Sequence, residues 1–173
     1  ADLVVISGGK GLRGPQSSGI LAGRTDLIEA ATLNHSPYKA IGRGMKVGKE
    51  EIIGLVAAVR RYDALDHDAV LEGGNKKAQY IADVLNEIPG LQAELRDNTQ
   101  GYSNLHFSWD KAVIPVSGAE IYKQLRAGEP RILISGGGDG PSAGLTTQCM
   151  RDGDEIFAVR GIREALLSHA KAT

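Results

Sequence analysis

The chain has 173 residues, 42% hydrophobic and 24% charged, with 20 Lys plus Arg against 21 Asp plus Glu for a net charge of −1. That composition suits a folded piece with a sizeable core and excludes a disordered tail, while the near-neutral balance offers no overall attraction for nucleic acid. No apolar run approaches the roughly twenty residues that span a bilayer, no signal-peptide pattern opens the sequence, and the lone Cys149 cannot close an internal disulfide, so a cytoplasmic setting is expected.

Leu3-Val4-Val5-Ile6 opens the chain as a strand expected to be covered on both faces, as in a parallel α/β sheet. Lys10 follows in the glycine-rich run Ser7 to Gln16, and a second strand is predicted over Gly19–Gly23. Thr25 or Asp26 is expected to cap a short helix ending near Asn34–Pro37. From Lys49 to about Tyr62, Ile52, Ile53, Leu55, Val56 and Val59 form the inward stripe of a long amphipathic helix. Ala78, Ile81, Ala82, Leu85 and Ile88 mark another helix, stopped by Pro89-Gly90, with Gly73-Gly74 read as an interruption or bend.

The remainder reads as a small α+β domain. Strands are predicted over Leu91–Arg96 and Leu105–Trp109, the second alternating Leu105, Phe107 and Trp109, with His106 on the surface. Ser117 caps a helix that Gly128 ends. Arg131–Ser135 and Leu145–Met150 are predicted as paired strands joined by the Gly136–Gly140 loop, and Asp152 or Asp154 caps a last helix facing Ile156, Val159, Ile162 and Leu166 inward. No internal repeat is present.

Lys10 lies just past the carboxyl end of the first strand, the edge where open α/β sheets bind ligands. A lysine there suits a Schiff base with a carbonyl cofactor. A phosphate-cradling P-loop is excluded, because Gly9-Lys10 is followed by Gly11 rather than Ser or Thr. A solvated surface turn is the other reading of the same residues. His35, His67, His106 and His169 show no ligand spacing, so no metal site is expected. Trp109 and the tyrosines are too scattered for a nucleic-acid stacking platform.

Strand, Gly8-Gly9-Lys10, Gly14-Pro15-Gln16 and Gly19–Gly23 together resemble the cofactor-lysine segment of the selenocysteine synthase (L-seryl-tRNA(Sec) selenium transferase) family and its D-glucosaminate-6-phosphate ammonia-lyase-like relatives. Arg43–Glu51 with the helix ending at Tyr62, and Leu125–Ile132, resemble later segments of that family in the same order. The resemblance implies an α/β chain: the end of a fold type I large domain that uses pyridoxal 5'-phosphate (PLP), plus a small carboxyl-terminal α+β domain. The implied boundaries are 1–48 for the end of the PLP-binding domain, 49–88 for connecting helices and 89–173 for the small domain. An amino-terminal segment supplying the phosphate cup and the ring-nitrogen partner is expected to be missing, with a homo-oligomer completing the site.

On that resemblance Lys10 is the catalytic and cofactor-linking lysine, and Gly14 and Gln16 contact the cofactor, Gln16 being favoured over Ser17 and Ser18. Arg43, Arg13 and Arg131 are the candidates for a substrate anion, since guanidinium groups recognise such groups bidentately; Arg43 ranks ahead of Arg131. The implied reaction is a PLP-dependent elimination or transfer on a small amino acid or amino sugar acid. The alternatives are selenium transfer on seryl-tRNA, which the near-neutral charge disfavours, and a non-catalytic carboxyl-terminal fragment.

Overall fold

The structure, a computed structural model, describes residues 1–97, 103–136 and 138–171. They form two compact units, Ala1–Leu65 and Asp66–Thr173. The first holds strands β1 (Leu3–Ser7) and β2 (Gly19–Gly23), helix α1 (Thr25–Leu33), a 3-10 turn at Arg43–Met45 and helix α2 (Lys49–Asp63). The second holds α3 (His67–Asn86), β3 (Leu91–Asp97), β4 (Ser103–Trp109), α4 (Gly118–Ala127), β5 (Ser142–Thr146) and α5 (Asp154–Leu167). The division between the units thus falls after residue 65, inside the 49–88 stretch.

The first unit corrects the expectation of a buried parallel strand. β1 pairs antiparallel with β2, in register from Leu3↔Gly23 to Ser7↔Gly19. A short loop can return a strand only antiparallel, because a parallel partner needs a crossover of a dozen or more residues. Among the described residues nothing in the unit covers the ribbon, so Val5 is 78% exposed and Leu3, Val4, Ile6 and Leu21 are exposed with it. The stripe of α2 has the expected period, yet only Leu55 and Ala58 are buried, while Ile52, Ile53, Val56 and Val59 stay exposed. At α1 the cap position is Arg24 and Thr25 is already helical. Arg24 donates to Asp26 at 2.7 Å and Asp2 at 3.2 Å, and those carboxylates raise its pKa. Asp26 in the first turn also suits the helix dipole.

The second unit carries the core. β3, β4 and β5 form an antiparallel sheet in that order, with Leu95↔Leu105 and Leu105↔Leu145 in register. The alternation in β4 turns Leu105, Phe107 and Trp109 inward, each 4% exposed or less, and the Trp109 indole donates to the Val116 carbonyl at 3.0 Å. Ile81 and Leu85 of α3, Ile121 of α4, and Ile162 and Leu166 of α5 complete one cluster with them.

α3 runs unbroken through Gly73-Gly74, so no interruption occurs there; the Gly74 carbonyl accepts from the buried Thr147 hydroxyl at 2.7 Å. Ser117 and Glu120 form a reciprocal capping box on α4, and Gly128 is its C-cap. Arg131–Ile134 form no strand: Ser135 alone bridges Gly144, and the strand expected at Leu145–Met150 lies earlier, at Ser142–Thr146. β5 already pairs with β4, and only its far edge at Gly144 meets residue 135. Within the loop expected at Gly136–Gly140, Gly137 lies outside the described residues. α5 is capped by Gly153, whose φ of +93° favours glycine, and Asp154 opens the helix and accepts from the Arg151 amide at 2.8 Å. Ile156 is 53% exposed rather than inward, and His106 is half-buried rather than on the surface. No helix among the described residues is long and apolar enough to cross a membrane.

Candidate active site

Lys10 sits at the tip of the β1–β2 ribbon, in a loop that its own backbone ties together. The Gly8 amide donates to Ser18 O at 2.9 Å and the Gly14 amide to Gly8 O at 2.8 Å, which brings the two ends of the loop side by side. Inside that closure the Arg13 amide donates to Lys10 O at 2.8 Å, with Arg13 itself at φ 56°. The Ser18 hydroxyl donates to Pro15 O at 2.6 Å. Gln16 crosses the loop, its amide donating to Gly9 O at 3.2 Å, at the residue just before the lysine. Lys10 is exposed, and its ammonium makes no ion pair or hydrogen bond among the described residues.

Two glycines hold this geometry by what they lack. A Cβ at Gly9 would fall 2.8 Å from Gln16 Cα, and one at Gly8 would strike the Ser18 hydroxyl and Leu55. The loop is seated on α2: Leu55 lies over Gly8, Ala58 over Gly14, and Pro15 against Gly54, where a Cβ would come within 2.8 Å of the proline ring. The buried face of α2 is therefore the face that carries the lysine loop. Gly54, Leu55 and Ala58 escape a sequence reading as site residues, although a glycine inside an apolar helical run is a signal of close approach.

Arg43 belongs to the same unit but to a different loop. Its guanidinium donates to the Ser36 hydroxyl at 2.6 Å, and the His35 ring lies against two carbonyls, Ser36 O at 3.2 Å and Met45 O at 3.3 Å. Gly42 is buried, and a Cβ there would collide with the Asn34 carbonyl. Ser36 and His35 thus fix the turn that presents Arg43, and neither carries a local sequence signal for that duty. Lys10, Arg13, Gly14 and Gln16 share one loop, whereas Arg131 lies in the second unit, in a groove with Tyr122, Lys123 and Arg126. Among the described residues no three His, Cys, Asp or Glu gather where a metal could sit.

No family model matches the chain. It is similar to a 5'-C-glycyluridine monooxygenase-decarboxylase from Streptomyces sp, 36% identical over 136 residues, covering 78% of this chain and 33% of the relative. It is also similar to D-glucosaminate-6-phosphate ammonia lyase from Salmonella typhimurium, 30% identical over 131 residues and covering 75% of this chain and 33% of the relative. Among solved structures, that of a D-glucosaminate-6-phosphate ammonia-lyase matches with a TM-score of 0.75 and 25% identity over 99% of this chain and 45% of the other. The α-aminoadipate aminotransferase LysN from Thermus thermophilus, solved with N-(5'-phosphopyridoxyl)-L-leucine, shares the fold at a TM-score of 0.54 and 12% identity, covering 96% and 42%. The chain spans about a third of the length of the curated relatives it matches.

Proposed function

We propose that this chain, which shares the fold of the fold type I PLP enzymes, contributes the cofactor-linking lysine, Lys10, to a lyase or transferase acting on a small amino acid with a sugar-like extension. The observation that carries this reading is the exposed, unpaired Lys10 amine at the tip of a loop closed by Gly8, Gly14 and Ser18. The group fits these residues: a primary amine faces outward with no competing partner among the described residues, on a loop held from beneath by α2. PLP, when bound, supplies an aldehyde for that amine and an electron sink for bond cleavage at the substrate carbon.

The chain's own residues divide the remaining work. Lys10 would hold or move a proton at the substrate carbon. Gln16 fixes the peptide before the lysine through Gly9, and together with Gly14 it is proposed to contact the cofactor. Arg43, presented by Ser36, and Arg13 on the lysine loop are proposed to bind a substrate carboxylate or phosphate. Arg131, the third sequence candidate for such an anion, lies in the second unit. The substrate class follows from two relatives' names: a glucosaminate phosphate and a glycyl-uridine both carry an amino-acid group on a polyhydroxylated body.

Elimination of ammonia is the leading reaction, and selenium transfer on seryl-tRNA is the weaker one for a chain of net charge −1. A second reading, oxidative decarboxylation with O2 as oxidant, is favoured by the higher identity to the monooxygenase-decarboxylase. The remainder of a longer enzyme and a second copy of the chain are the proposed partners, in the cytoplasm. Borohydride reduction of the full protein with PLP, followed by peptide mass spectrometry, is the test. Cofactor mass on the Lys10 peptide supports the reading; a colourless protein with unmodified Lys10 supports the inert-fragment alternative. Ammonia release without O2 uptake then separates elimination from oxidative decarboxylation.

A further inference from the structure

We propose that the groove lined by Ala119, Tyr122, Lys123, Arg126, Ala127 and Arg131 binds the phosphate group of a small metabolite. Its volume is about 660 Å³, within the range of roughly 300–1,000 Å³ typical of small-molecule sites. Three cations and no carboxylate line it. None of the three makes an ion pair among the described residues. The nearest acid on the helix, Glu120, feels Lys123 but is held at the other end of α4 by the Ser117 hydroxyl and amide.

The cations are placed by the fold. Ile121 and Leu125 bury the opposite face of α4, which leaves Lys123 and Arg126 exposed and Tyr122 half-buried against the core. Arg126 donates to the Tyr122 hydroxyl at 3.4 Å with its guanidinium 6.0 Å from the ring centre, so one planar group is already oriented. Arg131 is brought back to the end of the helix because the Gly128 and Ile132 amides both donate to Leu125 O, at 3.3 and 3.1 Å, and Ile132 packs against Gly161. The C-terminal dipole of α4 accounts for Arg126 as a helix-end cation, but not for Arg131 and Lys123 on the same groove.

Two forked guanidiniums and an ammonium match a phosphate monoester, which offers three acceptor oxygens and close to two charges, better than a carboxylate. The chain's net charge of −1 favours a metabolite over a nucleic-acid strand.

The test is titration of the full protein with inorganic phosphate at low salt, read by amide NMR shifts and calorimetry. Saturable shifts confined to residues 119–131 are expected, absent with acetate at equal concentration. Arg126→Gln and Arg131→Gln are each expected to weaken binding at least about tenfold, as loss of a charge-assisted pair does, with unchanged melting. Shifts that do not saturate, that lie elsewhere, or that persist in both variants overturn the site. Tighter, steeply salt-dependent binding of a single-stranded oligonucleotide on the same residues also overturns it, in favour of a nucleic-acid surface. The proposal does not rest on the Lys10 reading: that one fails by peptide mass, this one by the α4 shifts.

Discussion

Lys10 does its proposed work from a loop whose shape depends on residues with no side chain to offer. Lys10→Ala is expected to leave melting unchanged and remove borohydride-fixed cofactor, since an exposed amine contributes little packing but is the only tether. Gly9→Ala keeps the amine, yet its Cβ collides with Gln16. It is expected to cost about 1–3 kcal/mol, as overpacking does, seen as faster hydrogen exchange over residues 8–18 together with lost trapping at Lys10. Full trapping in Gly9→Ala would mean that the loop geometry is dispensable. At Arg43, replacement by Lys preserves charge but loses the planar fork on Ser36. A lower kcat/KM in the full enzyme with a steady melt assigns Arg43 to the substrate, whereas a shifted melt with intact kinetics assigns it to holding the 34–45 turn.

Among the elements, α4 has the best-defined start. Ser117→Ala is expected to cost about 1 kcal/mol, the usual worth of an N-cap, measured by denaturant unfolding. Glu120 is held below the ordinary carboxylate range first by the Ser117 hydroxyl and then by its amide, and Asp152 is lowered by Lys77 at 2.7 Å. A folded-state pKa below the unfolded one means stability that is present above the unfolded value, near pH 4, and lost as pH falls through the folded value. Melting temperature is therefore expected to drop as pH falls below about 4, and Glu120→Gln to flatten that slope; an unchanged slope would remove the capping box as its source. Between α4 and β5, residues 131–134 leave the sheet because β5 meets residue 135 through a single bridge.

For the whole molecule, the core cluster lies entirely within residues 81–166, in the second unit. A 66–173 fragment is expected to melt cooperatively by itself, and Phe107→Ala, which empties a fully buried site, to destabilise it by about 3–5 kcal/mol. A non-cooperative melt would place part of that core's support in the first unit. The first unit instead exposes β1 and most of α2, and the match covers only 33% of each curated relative. PLP added to the 173 residues alone is accordingly expected to give substoichiometric trapping and no turnover, with both returning on addition of the amino-terminal remainder proposed above. Stoichiometric trapping and turnover by the chain alone would refute that.

What the chain's residues determined unaided are the features written in neighbouring positions: the helical repeat of α3, the alternation of Leu105, Phe107 and Trp109 in β4, the Ser117 cap and Gly128 stop of α4, and the glycine-flanked lysine after β1. Each depends on contacts a few residues apart, which periodicity and capping report directly. Tertiary structure alone decided which apolar faces are covered, because a periodic pattern states that a face wants burial and not what buries it. Hence α2 exposes most of its stripe while Leu55 and Ala58 seat the lysine loop. Hence too Arg131, whose local pattern reads as the start of a strand, joins Lys123 and Arg126 in one groove: hydrogen bonds to Leu125 O across the Gly128–Pro130 turn, not local sequence pattern, set where it lies.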